Sequence, residues 1–430
     1  MSRAEFSPAL KAEDGDLPEG WQHQQLDQLS ELVRDQIQPS AAAGLPYVGL
    51  EHVDPGEPTL KRWGAPEDVR SAKTRFAPGD ILYGKLRPYL DKSVLAPFAG
   101  ICSTDILVFR AQADRAIAEF LVSAIHTKPF LEHAVSTTAG VNHPRTSWNA
   151  LKVHGLAVPP LAEQRAIAGV LRTVQGAKEA CERVLAATRQ LKQSLLHHLF
   201  TYGPVPFTQA ARVPLRETAA GEKPEHWQVV PLGDICDVRN GVAFEADDYV
   251  GEGVLNFRIV NIKADGRLDI RSDVKFLPAS FAEQFAEYLL NSEDILLVMV
   301  GATRGKLAFI TPEVLPALMN QNMWRVVSGD ARVPQRYLYF YLLHAVPIFA
   351  KTYSEEARGF FSKAHFRKFP VAFPSAPSEL AEIAAQLAAV DAKLAEEESR
   401  RAALVAIFQS LLHHLMTGQV RLPEFAGGKA

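Results

Sequence analysis

The heptapeptide QSLLHHL occurs twice in this chain, at Gln193–Leu199 and again at Gln409–Leu415, 216 positions apart. Neither copy is of low complexity, and neither has the glycines of a phosphate or active-site loop. Self-similarity at a fixed offset is the mark of a duplicated unit, and the likeness spreads outward. LPEGWQHQQL (Leu17–Leu26) returns as KPEHWQVVPL (Lys223–Leu232) at offset 206, with Pro18, Glu19, Trp21, Gln22 and Leu26 matched by Pro224, Glu225, Trp227, Gln228 and Leu232. GDILYGKLRP (Gly79–Pro88) parallels EDILLVMVGA (Glu293–Ala302) at offset 214, and Ser147, Leu151, Lys152 and Pro159 match Ser362, Phe366, Arg367 and Pro374 at offset 215. The chain is two similar units in tandem, separated in register by small insertions.

Each unit has two parts. The first is mixed. Short apolar runs bounded by Gly, Asp or Pro, such as DILYGKL, DILVFR, DILLVMV and KLAFI, fit strands. AEFLVSAIHTKPFLEHA and PQRYLYFYLLHAVPIFAKTY fit helices. The second part is one long helix. Apolar or small residues recur with alternating three-four spacing at Ile167, Val170, Val174, Ala177, Cys181, Val184, Leu191 and Leu195. They recur again at Ile383, Leu387, Val390, Leu394, Leu404, Ile407, Leu411 and Leu415. This spacing predicts a coiled-coil seam, although a stripe of this kind also suits ordinary core packing. The centre of the second stripe, AEEESRRAA, is highly charged. Pro159-Pro160 followed by Leu161-Ala162-Glu163-Gln164 signals a helix start, and Gly203 and Gly418 signal stops. QSLLHHL is therefore the end of a helix used once per half. Halves related by a two-fold axis would set the two helices antiparallel, and the Ile167–Leu199 stretch alone would span about 50 Å at 1.5 Å per residue. The expected fold is α+β: two α/β domains in tandem, each followed by a long helix, with the helices paired as an antiparallel coiled coil. The expected boundaries are 1–158, 159–203 for the first helix, 204–373, and 374–430 for the second helix and tail.

Composition narrows the function. A chain of 430 residues suggests two or three domains. A formal charge of -3 gives no global basic signature, so a nucleic-acid partner would need local basic patches. Three scattered cysteines, Cys102, Cys181 and Cys236, argue against a disulfide framework and for a reducing compartment. No apolar run could span a bilayer, and MSRAEFSPALKAEDGD at the start has no apolar signal core. A cytoplasmic chain is expected, with no membrane partner.

No catalytic constellation stands out. GATRGK (Gly301–Lys306) has one residue too few between its glycines for a phosphate loop. No Cys-x-x-Cys, His-Glu-x-x-His, or Asn/Asp-Pro-Pro-aromatic tetrapeptide is found. Asp391-Ala392-Lys393 resembles the end of a nuclease carboxylate motif but falls within the second long helix, the wrong context for a two-metal site. His197-His198 and His413-His414 are adjacent pairs that face different sides of a helix, so no metal site is expected there. What remains is local basic chemistry. KLRPYLDK places Lys85, Arg87 and Lys92 around Tyr89 after a strand, and NHPRTSWN offers Asn142, His143, Arg145 and Trp148. Arg304 and Lys306 lie in the glycine-bounded turn, and ARGFFSKAHFRKFP interleaves Arg358, Lys363, His365, Arg367 and Lys368 with phenylalanines. Arg and Asn can read base edges while Lys mainly contacts phosphate. Ordinary solvated loops over buried Phe would read the same way.

The strings GDILYGKLRPYLDK, GICSTDILVFR, PPLAEQRAIAGVL, LKQSLLHHLFTYG, DILLVMVGATRGKLAFI and SLLHHLMTGQVRL together cover nearly the whole chain. In this combination the chain resembles the specificity (S) subunit of type I restriction-modification enzymes. One departure is APSELAEI, which stands where a second P-L-x-E-Q is expected. The resemblance implies a non-catalytic subunit in which each α/β unit is a target recognition domain for half of a bipartite, asymmetric double-stranded DNA sequence. It implies helices that act as a spacer and dock two modification subunits, with Ile167, Val174, Leu191, Leu195, Ile383, Val390, Ile407 and Leu411 as seam or partner contacts. A restriction subunit would join to cut DNA. S-adenosylmethionine, ATP and Mg would be held by those partners alone. The expected DNA contacts are Lys85, Arg87, Lys92, Asn142, Arg145, Arg304, Lys306, Arg358, Lys363 and Arg367. Two other classes compete: a self-contained DNA methyltransferase or nuclease, and a coiled-coil scaffold with no DNA role.

Overall fold

Each Asp-Ile-Leu segment is a central strand of a sheet. The computed structural model describes residues 17–353 and 360–426; the opening segment read as lacking a signal core lies outside them. In the first half, Ile81–Gly84 pairs antiparallel with Ser93–Leu95 on one side and Ile106–Ala111 on the other, and Ser30–Leu32 completes the sheet. In the second half, Ile295–Val298 pairs with Leu307–Phe309 and Met323–Ser328, and Cys236–Asn240 completes it in the same order. Both central strands are buried along their length, which is why they read as unbroken apolar runs.

The aspartate before each strand is also duplicated in role. Asp80 accepts the Ala77 N–H at 2.7 Å and takes both arms of the Arg110 guanidinium at 2.8 Å. Asp294 accepts the Asn291 N–H at 2.7 Å and lies 3.5 Å from Arg325. A second sheet differs between the halves. Both contain a parallel pair, Tyr47–Val48 with Gly100–Cys102 and Val254–Phe257 with Ala317–Met319. The antiparallel neighbour Lys73–Phe76 joins Gly100–Cys102 in the first half, whereas Phe276–Leu277 joins Val254–Phe257 in the second.

A two-stranded ribbon delivers the chain to each long helix: Gln22–Gln25 with Gly155–Val158, and Trp227–Pro231 with Pro370–Pro374. The helices run Leu161–Tyr202 and Pro377–Met416. They stop where the sequence places Gly203 and Gly418, both left-handed at φ 81 and 69. Lys223 sets its ammonium on the Phe200 carbonyl at 2.7 Å, satisfying a backbone acceptor in the last turn of the first helix.

The chain divides into two units, Met1–Glu182 with Ser399–Ala430, and Arg183–Glu398, so each long helix is shared. In the first unit, Ile167, Ala168 and Leu171 enter one core with Phe408, Leu415 and Met416. The Lys178 ammonium lies 4.6 Å from the Phe408 ring centre, and Arg401 is 3.5 Å from Glu182. In the second unit, Leu199 and Phe200 share a core with Leu380, Ile383 and Leu387, and Arg189 bonds Glu398 at 2.8 Å. In both units the early half of one helix meets the late half of the other, so the pair is antiparallel, as the repeat predicts.

The seam itself differs from the expected phase in places. Ile167 and Ile383 are buried, Val174, Leu195 and Leu411 pack against the cores, and Val390 is half-buried. Leu191 and Ile407 are instead 50% and 47% exposed, while Leu185 and Phe408 take the buried positions. The cause is that the helices also face the α/β parts. In the first unit, buried Lys178 and Gln175 hold Glu57 at 3.1 and 2.9 Å, tying the 57–61 loop to the helix. In the second unit, Arg267 bonds Glu398 at 3.0 Å.

Among the described residues no helix is long and apolar enough to cross a membrane, and no group of three or more His, Cys, Asp or Glu could hold a metal. Burial pushes the Cys102 and Cys236 thiols up to about 12, which removes the thiolate that nucleophilic chemistry needs.

Candidate nucleic-acid interface

The four basic clusters singled out in the sequence fall on two corners, one per unit. In the first, the chain leaving Ile81–Gly84 continues beside the segment that precedes the Ser147 cap. Leu86 bridges Arg145, the Arg87 N–H donates to the Pro144 carbonyl at 2.7 Å, and the Thr146 N–H donates to Lys85 at 3.1 Å. Arg145 in turn bridges Ala139, closing a hairpin over 139–145. In the second unit, Val300 bridges Phe360 and the Phe361 N–H donates to Met299 at 2.9 Å. Leu86 and Val300, and Arg145 and Phe360, are the same positions of the repeat at offsets 214 and 215. The serine that follows caps a helical turn in both: Ser147 accepts from the Ala150 N–H at 3.3 Å and Ser362 from the His365 N–H at 3.4 Å.

Within the first corner the expected residues do different things. Arg145 grips Asp105 with two bonds of 2.8 and 3.2 Å. The hydrogen bonds and charge of that guanidinium hold the Asp105 carboxyl below the usual carboxylate range. Lys92 points its ammonium at the Leu50 carbonyl at 2.7 Å. Arg87 and Asn142 are exposed, and Lys85 is half-buried. Arg87 and Asp91 are both left-handed, at φ 51 and 49, and flank the single turn Pro88–Leu90 that presents Tyr89. That turn is anchored by a contact the sequence did not announce: Asp91 meets buried His126 at 2.8 Å, and the other ring nitrogen lies 3.0 Å from the Ser93 carbonyl.

In the second corner, Lys306, the repeat partner of Lys92, also sits on a backbone carbonyl, that of Ile262 at 3.1 Å. Arg304 lies 5.0 Å over the Phe361 ring, with one buried terminal nitrogen that has no hydrogen-bond partner among the described residues. Lys363 and Arg367 lie on the helical turn Lys363–Lys368, Lys363 half-buried and Arg367 exposed. Arg358 lies outside the described residues. The two corners thus share a backbone but not side chains: where the first has Lys85, Arg87 and Arg145, the second has Met299, Gly301 and Phe360.

The paired histidines are not brought together as ligands. His198 is buried against the Val205 carbonyl and the Phe207 ring, while His197 is exposed. Sequence reading also missed the anchor of each helix. Trp21 donates its indole N–H to Glu163 at 3.2 Å, and Trp227 donates to Glu379 at 2.9 Å. The repeated Trp was the available signal. Its partner lies more than 140 residues away, within a motif that changes between copies.

The family model described as "Type I restriction modification DNA specificity domain" matches residues 224–405. The MjaX relative from Methanocaldococcus jannaschii, a putative type I restriction enzyme specificity subunit, is 20% identical over 96% of both chains. The EcoAI specificity subunit of Escherichia coli is 23% identical over 76% of this chain and 70% of its own. The MjaVIII specificity subunit of M. jannaschii is 24% identical, and there the match spans about half of each protein, 48%. In fold, the chain is similar to the S subunit of a type I restriction-modification system from M. genitalium, with a TM-score of 0.62 at 14% identity, covering 96% of this chain and 99% of that one. Residues 224–405 thus match the specificity-domain model, and along most of its length the chain is similar to type I restriction-modification specificity subunits, whose fold it shares.

Proposed function

We propose that this chain is the sequence-reading subunit of a type I restriction-modification complex and carries no catalytic site of its own. Each unit reads one half of a bipartite, asymmetric target in double-stranded DNA. The helix pair is the spacer and the dock for two modification subunits, and restriction subunits join that assembly. S-adenosylmethionine, ATP and Mg belong to the partners.

The observation that carries this reading is the doubled corner. One backbone arrangement, built at equivalent positions of both units, presents different side chains each time. Two readers of one architecture with unlike surfaces suit two unlike half-sites. Within the corners, Arg87, Asn142 and Arg367 are exposed and free to meet DNA, and Lys85 and Lys363 are placed to supply positive charge near phosphate. Lys92 and Lys306 brace the corners from inside. Exposed Leu191 and Ile407 offer apolar contacts to a docked subunit.

The test is electrophoretic binding by the full chain together with modification subunits, on duplexes whose half-sites are moved apart one base pair at a time. Binding should peak at one spacing; indifference to spacing contradicts the spacer. A chain that binds S-adenosylmethionine and methylates or cleaves alone would be an enzyme instead. A scaffold with no DNA role would retain DNA equally well after Lys363 and Arg367 are neutralised.

A further inference from the structure

The hairpin over 139–145 ends in a tip that the fold leaves bare. Val141 is 97% exposed. It sits between Gly140, at φ 96, and Asn142, which is also exposed. The Asn142 amide makes no hydrogen bond among the described residues. A single exposed aliphatic residue needs no explanation by itself. What sets this one apart is the rigidity beneath it and the company beside it.

The base of the hairpin is held on three sides. Ala139 and Arg145 exchange backbone bonds of 2.9 and 3.0 Å, the Arg87 N–H holds the Pro144 carbonyl, and Arg145 is clamped on Asp105. Inside the hairpin base the Thr137 and Thr146 hydroxyls meet at 3.0 Å. Arg87 stands beside it, tied through its N–H to Pro144, and His143 lies within the hairpin; both are exposed. A stiff finger with an apolar tip, an unengaged amide and positive charge behind it is made to enter a groove of a polyanion.

We propose that this tip enters the major groove of the first half-site and reads an A·T pair. The Asn142 amide spans adenine N6 and N7, and the Val141 methyls lie against the 5-methyl of a thymine. The proposal rests on the DNA-reading role above and adds the kind of base pair read. Adenine offers an acceptor and a donor side by side, the one pattern that a side-chain amide matches with two bonds, whereas guanine offers two acceptors and suits Arg. The thymine methyl is the apolar feature of the groove edge. Arg145 is committed to Asp105 and serves as the brace, which leaves Arg87 to meet the phosphates.

The test is selection from a randomised duplex library by the full chain with modification subunits, comparing wild type with Asn142→Ala and Val141→Ala. Both substitutions sit on the exposed tip, and an unchanged urea midpoint confirms the fold. Asn142→Ala should relax the preference for adenine at one position of one half-site by about ten-fold, with every other position unchanged. Replacing the thymine there with uracil should weaken the wild type and leave Val141→Ala unaffected. Identical base preferences in wild type and Asn142→Ala overturn the proposal, as does a uniform loss across all positions, which marks a phosphate contact. A wild type that selects no sequence at all overturns the DNA-reading role along with it.

Discussion

Glu163 and Glu379 are buried or nearly so at the first turn of each long helix, and each receives a tryptophan N–H from the start of its own half. Glu163 also takes both arms of Arg421 at 2.9 and 2.7 Å, while Glu379 meets His226 at 2.9 Å. Near a helix N-terminus a carboxylate is doubly favoured, by its partners and by the exposed N–H groups. Glu163→Gln should cost about 2–3 kcal/mol, because Arg421 loses its buried counter-charge and one of the two accepting oxygens becomes an NH2 donor that faces another donor. Urea denaturation checks this, and an unchanged midpoint contradicts it. A second residue-scale effect concerns pH. Burial lowers His154 to about 4, with His133 adding to the shift, and burial lowers His344 to about 4, with Lys223 and His197 adding. The unfolded chain then binds protons that the fold refuses, starting near its ordinary value of about 6.5. Stability is therefore full above about pH 6.5 and falls as pH drops toward about 4. The urea midpoint should follow that slope, and His154→Gln with His344→Gln should flatten it. A midpoint independent of pH across this window contradicts the burial.

At the scale of elements, the duplicated strings located both central strands and both long helices, because each depends on local pattern: an apolar run, a proline pair, a terminal glycine. The helix faces were harder. Three-four spacing fixes a stripe but not which flank of it is covered, and here both a partner helix and an α/β part compete for the surface. So Leu185 and Phe408 are buried while Leu191 and Ile407 are not, and Lys178 and Gln175 are buried as a polar pair that no apolar pattern reveals. Leu185→Ala should cost about 2–4 kcal/mol and Leu191→Ala no more than about 0.5, read by the same denaturation. Equal costs would return Leu191 to the seam. The change from PLAEQ to APSELAEI is also explained at this scale. Gln164 bonds the Arg115 and Pro159 carbonyls and the Ile117 N–H, and Leu380 in its place joins the second core, while the glutamate one position earlier is kept. Of the candidate DNA contacts, sequence gave the clusters but not their division into braces and exposed groups. Lys92, Lys306 and Arg145 find partners 40 or more positions away, beyond the reach of a local pattern.

At the scale of the whole molecule, two units of one design share two helices, and their matching corners carry different side chains where the first has Lys85, Arg87 and Arg145. On the function proposed above, the chain dictates where partner subunits modify DNA, through two independent halves. The most direct measurement is a genome-wide map of methylated adenines in cells carrying the wild-type chain or a variant altered only at Arg87 and Asn142. A two-part motif with a fixed gap is expected, in which the variant changes one part and leaves the other part and the gap intact. A single contiguous motif, or a map that is the same with and without the chain, would contradict it.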